Sequence, residues 1–163
     1  MEFCIRAQGK PALLKPFAPL EFNLSHSGDC VLIAVTAGVH CGVDIERRRP
    51  IFKEQKLAEG LFSHREIEWL SRTENGFHRL WTMKEAIIKA IGHGLSIELS
   101  HIDLTDVLER KTPSILIRIP GMEPQLLWLK ELHLLPNYAA AVATVGSQRI
   151  FRLVSGEVES QTV

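Results

Sequence analysis

The sequence predicts an α+β domain built on a mostly antiparallel sheet, and two observations predict it. Two helix patterns adjoin in the middle of the chain, one starting at Ser63 and one ending near Ile91. Short apolar segments of strand character then follow one another, at Ser114 to Ile119, Leu126 to Leu134, Tyr138 to Val145 and Ile150 to Val154, the middle pair joined by Leu135-Pro136-Asn137. Strands that run together after helices, and do not alternate with them, belong to α+β architectures.

Taken in order, the first twenty residues carry Gly9-Lys10-Pro11, Pro16 and Pro19 and read as an irregular lead-in. Asn23-Leu24-Ser25-His26-Ser27-Gly28 gathers an amide, hydroxyls and an imidazole just ahead of a strand; it reads as a plain polar turn or as a loop able to hold phosphate oxygens. Cys30 to Ala37 and Cys41 to Arg47 are strands, with Gly38 between them and a hairpin as the simplest connection. Ser63 with Glu66 makes a capping box that starts a helix running to about Leu70 and burying Ile67 and Leu70. After a turn at Asn75-Gly76, a second helix from about Phe77 to Ile91 aligns Phe77, Leu80, Trp81, Ile87, Ile88 and Ile91 and stops at Gly92 and Gly94. The polar end, Gly156 to Val163, reads as frayed.

The chain has 163 residues, enough for one domain or one and a fraction, with the 45% hydrophobic and 23% charged residues of an ordinary soluble protein. No apolar run approaches the roughly 20 residues that cross a bilayer. The start, Met1-Glu2-Phe3-Cys4-Ile5-Arg6, shows no secretory signal, so a cytoplasmic location is expected. Three cysteines without CxxC spacing argue against a disulfide framework and against zinc. A formal net charge of zero removes the general electrostatic case for nucleic acid. Arg47-Arg48-Arg49 reads as a solvated loop or as a contact for an acidic protein partner.

The chemistry concentrates in Gly42-Val43-Asp44-Ile45-Glu46 and Trp81-Thr82-Met83-Lys84-Glu85-Ala86-Ile87-Ile88-Lys89. On a strand Asp44 and Glu46 point to the same side, and on a helix Glu85 and Lys89 share a face. Two like charges side by side repel unless a cation or a hydrogen-bond network offsets them. The pair is therefore either the polar face of a strand or half of an oxygen-ligand site suited to Mg²⁺. Glu85 and Lys89 are either a helix surface pair or a partly covered ligand and a phosphate clamp. The other histidines lack ligand spacing, and neither a P-loop nor a serine-hydrolase or zinc-protease motif is present.

These motifs resemble the 4′-phosphopantetheinyl transferases of the surfactin-synthetase-activating (Sfp-like) type. Gly9-Lys10-Pro11, Phe22-Asn23-Leu24-Ser25-His26-Ser27, Gly42 to Glu46, Phe62-Ser63 with Glu66, Trp81 to Ala90, Gly94-Leu95-Ser96 and Pro136-Asn137-Tyr138 occur in that family's order. The resemblance implies transfer of the phosphopantetheine arm of coenzyme A to a serine of an acyl or peptidyl carrier protein. It implies Asp44, Glu46 and Glu85 as ligands of Mg²⁺; Lys10, Ser25, His26 and Lys89 as contacts to coenzyme A; and Glu85, Lys89 and His26 as catalytic, Glu85 being the candidate base. It further implies a remnant of an N-terminal half over residues 1–40, a C-terminal α+β half carrying the metal site over 41–155, and a tail over 156–163. Nucleic acid and membrane are not expected as partners, while an oligomer is a possible way to complete the site. Two other readings use the same residues: a non-catalytic module that binds carrier proteins or coenzyme A, and a different Mg²⁺-dependent phosphotransferase acting on a nucleotide.

Overall fold

Small side chains make β8 (Tyr138–Val145) a central strand, because six consecutive residues, Ala139 to Thr144, are buried and mostly alanine, leaving room for close packing on both faces. The computed structural model describes residues 3–5, 11–13, 20–92, 97–146, 152 and 154–156. In it β8 pairs antiparallel with β5 (Cys41–Arg47) along one edge and with β7 (Gln125–Leu132) along the other, and β7 pairs with β6 (Ser114–Ile117). The result is a four-stranded sheet in the order β5-β8-β7-β6. The α+β class and these strands agree with the sequence reading to within a few residues at their ends. The expected strand from Ile150 to Val154 lies mostly outside the described residues, and Arg152 and Val154 belong to no element.

One face of the sheet is covered by α3 (Gly76–Ile91). Leu80, Ile87 and Ile88 from the helix pack with Leu127 and Leu129 of β7 and Ala141 and Ala143 of β8. The helix begins at Asn75 and ends at Gly92, both left-handed, as the turn and stop residues of the sequence require. Its companion α2 (His64–Ser71) starts with the complete capping box, Ser63 and Glu66 each satisfying the other's backbone N–H. Two helices escaped the sequence reading, α1 (Glu54–Leu61) and α4 (Thr105–Arg110). Neither opens on a side-chain cap of the kind that marks α2 in the sequence.

A buried ion pair fastens α2 to α3. The Lys84 ammonium donates to Oε2 of Glu66 at 2.5 Å and to the carbonyl of Leu99 at 2.8 Å, while Oε1 of Glu66 accepts from the N–H of Leu104 at 2.9 Å. Neither charged side chain is exposed. The period of α3 carries the signal, since Lys84 stands four residues from both Leu80 and Ile88 and so belongs to the apolar stripe.

On the opposite face Val43, Ile45, Trp128, Ala140 and Val142 pack with Leu32 of β4 (Cys30–Ala37). Here the structure corrects three expectations. Asn23 to Ser27 is not a turn but part of a strand, β3 (Leu20–Ser27), which pairs with β4 in continuous register from Leu20↔Ala37 to Ser27↔Cys30. The expected hairpin between Cys30 to Ala37 and Cys41 to Arg47 does not form. One edge of β5 is taken by β8 and the other by polar side chains of β3, so β4 folds back on β3 through Gly28, whose φ of 55° suits a tight turn. The lead-in is not wholly irregular either: β1 (Phe3–Ile5) and β2 (Pro11–Leu13) form a small antiparallel pair.

Candidate active site

The site begins with the absence of a side chain. A Cβ at Gly42 would stand 2.1 Å from the carbonyl oxygen of Ala86 and 2.4 Å from the backbone nitrogen of Ala90. Only glycine therefore lets α3 lie this close to β5. The close approach brings the helix face carrying Glu85 and Lys89 to the next inward residue of the strand, Asp44. Asp44 and Glu46 stand opposite Ala141 and Ala139 of β8, on the side of the sheet that α3 covers. The shared side expected from strand alternation is found.

Lys89 donates to Oδ1 of Asp44 at 2.6 Å and to the Ser25 hydroxyl at 3.3 Å. Ser25 in turn donates to the same Oδ1 at 2.8 Å. The Asp44 side chain is only 5% exposed, and this burial outweighs Lys89 and Ser25 and leaves its pKa above the usual aspartate range, with Glu46 pushing the same way. Glu85 is raised as well, first by burial and then by the charge of Asp44, against the opposing pull of Lys89. Oδ2 of Asp44 and Oε1 of Glu85 are both buried and have no hydrogen-bond partner among the described residues.

Leu24, Ser25, His26, Asp44, Glu46, Trp81, Glu85 and Lys89 line one cleft of about 550 Å³. The sequence-predicted residues Asp44, Glu46, Glu85, Lys89, Ser25 and His26 thus share its walls. Lys10 and the Gly94-Leu95-Ser96 motif lie outside the described residues. Among the described residues the acidic side chains do not form a ready-made cluster of three metal ligands. The donor set is nonetheless all oxygen, and the two orphaned carboxylate oxygens are groups that a hard cation would satisfy, which is the chemistry Mg²⁺ fits.

A second hollow, an apolar groove of about 560 Å³, adjoins the cleft and shares Glu46 and Trp81 with it. Ile51, Phe52, Leu57 and Phe77 supply its apolar lining and Arg49 a positive charge. Phe52 is 85% exposed, unusual for an aromatic side chain without a contact to make. Burial holds the neighbouring His78 imidazole below its ordinary pKa. Sequence reasoning missed the roles of Asn23 and Ser27, and it took Trp81 only as part of the core. Their signal was the alternation Asn23, Ser25, Ser27 on one side of a strand.

A family model described as the 4′-phosphopantetheinyl transferase superfamily matches residues 40–143, the segment that holds β5, α3 and most of β8. The chain belongs to that superfamily. It is 36% identical over 153 residues to 4′-phosphopantetheinyl transferase HetI of Nostoc sp., covering 90% of this chain and 61% of that protein. It is 42% identical over 104 residues to 4′-phosphopantetheinyl transferase AcpT of Salmonella typhimurium, covering 60% of this chain and 53% of the relative. The chain thus spans between about half and three fifths of the length of these relatives. A crystal structure of Thermotoga maritima holo-[acyl-carrier-protein] synthase is similar at a TM-score of 0.40 and 19% identity, over 68% of this chain and 65% of that one.

Proposed function

We propose that this chain transfers the 4′-phosphopantetheine arm of coenzyme A to a serine of an acyl or peptidyl carrier protein in a Mg²⁺-dependent reaction. The observation that carries the reading is the cleft between β3, β5 and α3. It sets three carboxylates and one ammonium together, and two buried carboxylate oxygens in it lack a hydrogen-bond partner among the described residues. In this reading Asp44, Glu46 and Glu85 hold the metal. Bound there, Mg²⁺ would stabilise negative charge on the diphosphate.

The chain's own groups divide the remaining work. Lys89 offsets charge on the diphosphate as adenosine 3′,5′-bisphosphate departs, releasing Asp44 when phosphate oxygens compete for its ammonium. Glu85 accepts the proton of the carrier serine as the serine oxygen forms its bond to phosphorus and the phosphorus–oxygen bond to the nucleotide breaks. His26, exposed at the rim of the cleft, contacts phosphate oxygens, a role that the family resemblance also gives to Lys10. The groove beside the cleft, apolar with Arg49 in its wall, suits an apolar and acidic face of the carrier. Catalysis of this kind is mostly positioning and charge neutralisation.

Incubation of the chain with apo carrier protein, coenzyme A and Mg²⁺, followed by mass spectrometry, tests the proposal. A phosphopantetheine mass increase on the carrier supports it. Carrier or coenzyme A binding without any mass gain favours the non-catalytic module, and turnover of a nucleoside triphosphate alone favours the other phosphotransferase. Asp44→Ala and Glu85→Ala should each lower turnover on the order of a hundredfold or more with the fold retained.

A further inference from the structure

β3 is joined to β5 by side chains, in a register that repeats every second residue. Oδ1 of Asn23 accepts from the N–H of Val43 at 2.8 Å, the hydroxyl of Ser25 from that of Ile45 at 3.3 Å, and the hydroxyl of Ser27 from that of Arg47 at 3.0 Å. Three polar side chains on one face of a strand thus replace a missing backbone ladder along the edge of β5 that β8 does not use. The two serines do more. Ser25 donates to Oδ1 of Asp44 at 2.8 Å, and Ser27 donates to Oε2 of Glu46 at 2.9 Å. Each serine therefore ties a carboxylate to the N–H of the residue that follows it.

We infer that Ser25 and Ser27 are positioning residues that aim the carboxylates of Asp44 and Glu46, and that Ser25 is not a phosphate ligand. A serine hydroxyl has one proton to donate and two lone pairs to accept with. All three capacities of Ser25 are used: the proton on Asp44, the lone pairs on Ile45 N–H and the Lys89 ammonium. Phosphate oxygens need a donor, and the single proton of the Ser25 hydroxyl is committed to Asp44 inside a residue 8% exposed. Holding Oδ1 of Asp44 from the β3 side leaves Oδ2, the atom with no hydrogen-bond partner among the described residues, as the oxygen available to a cation. Outer-sphere partners of this kind fix the orientation of metal-binding carboxylates. The cation part of this inference rests on the metal reading proposed above.

The test compares the full chain with Ser25→Ala, Ser27→Ala and Ser25→Thr, the last keeping the hydroxyl on a side chain suited to a strand. Mn²⁺ affinity is measured by titration calorimetry, coenzyme A affinity in metal-free buffer, and amide exchange at Ile45 by NMR. Each alanine variant should bind Mn²⁺ about 10- to 100-fold more weakly, with coenzyme A affinity within about twofold of the parent. Ser25→Ala should also speed exchange at Ile45 about tenfold or more, because its acceptor is gone. Ser25→Thr should restore both values. Loss of coenzyme A affinity with unchanged Mn²⁺ affinity would make Ser25 a phosphate ligand and overturn the inference. If the parent chain itself binds no Mn²⁺, the metal reading fails, and Ile45 exchange alone decides: unchanged exchange in Ser25→Ala overturns the ladder, and faster exchange upholds it.

Discussion

Lys89 reaches Oδ1 of Asp44 over 2.6 Å because Gly42, two residues before Asp44 on the same strand, lets the backbone of Ala86 and Ala90 settle against β5. The contact that organises the cleft is thus set by a residue with no side chain to contribute. Gly42→Ala should push α3 away from the strand and cost about 1–3 kcal/mol or more by overpacking. Urea denaturation would measure that loss. Turnover should fall further than stability predicts, since the same movement separates Lys89 and Glu85 from Asp44.

Burial holds the carboxyl groups of Asp44 and Glu85 above their ordinary pKa values of 3.8 and 4.5. A carboxyl raised on folding contributes stability that is fully present below its unfolded pKa and is lost as the pH rises through the folded one. At neutral pH the folded chain bears the cost of ionised buried groups, and a divalent cation held by them would offset it. The increase in melting temperature on adding Mn²⁺ should therefore be larger at about pH 8 than at about pH 5, where protons compete for the same oxygens. An equal increase at both values would contradict the assignment of these carboxylates to the cation.

The Lys84–Glu66 pair is fully enclosed, and removing one partner strands the other charge. Lys84→Met should destabilise the chain by roughly 3–5 kcal/mol. The double change Lys84→Met with Glu66→Gln removes both charges while keeping an amide oxygen for the N–H of Leu104, so it should lose less than Lys84→Met alone. Chemical denaturation of the three proteins would show whether the loss follows this order.

Phe52 is almost fully exposed at the groove beside the cleft, and Arg49 adds a positive charge there. If the carrier docks on this groove, Phe52→Ala and Arg49→Glu should raise the KM for the carrier about tenfold, the loss of one anchoring contact. The KM for coenzyme A should stay unchanged. A rise in the coenzyme A value alone would place the groove on the nucleotide side of the reaction.

The elements whose patterns are local were legible in the chain itself. The Ser63–Glu66 capping box, the apolar stripe from Phe77 to Ile91 with its glycine stop, and the extent of Cys41 to Arg47 and Tyr138 to Val145 all follow from interactions a few residues apart. The alternation of Asp44 with Glu46 and the helical spacing of Glu85 with Lys89 likewise marked the acidic face in advance. Tertiary structure alone decided what these groups meet. Asn23, Ser25 and Ser27 read as a turn because polar side chains ordinarily mark solvent. Here they face the unpaired edge of β5, and that pairing joins residues twenty apart in sequence. The partner of β4, the burial of Lys84 and the approach of α3 to Gly42 depend in the same way on contacts between distant segments. Local periodicity determines which face of an element is apolar; which other element covers that face is a free-energy comparison over the whole chain.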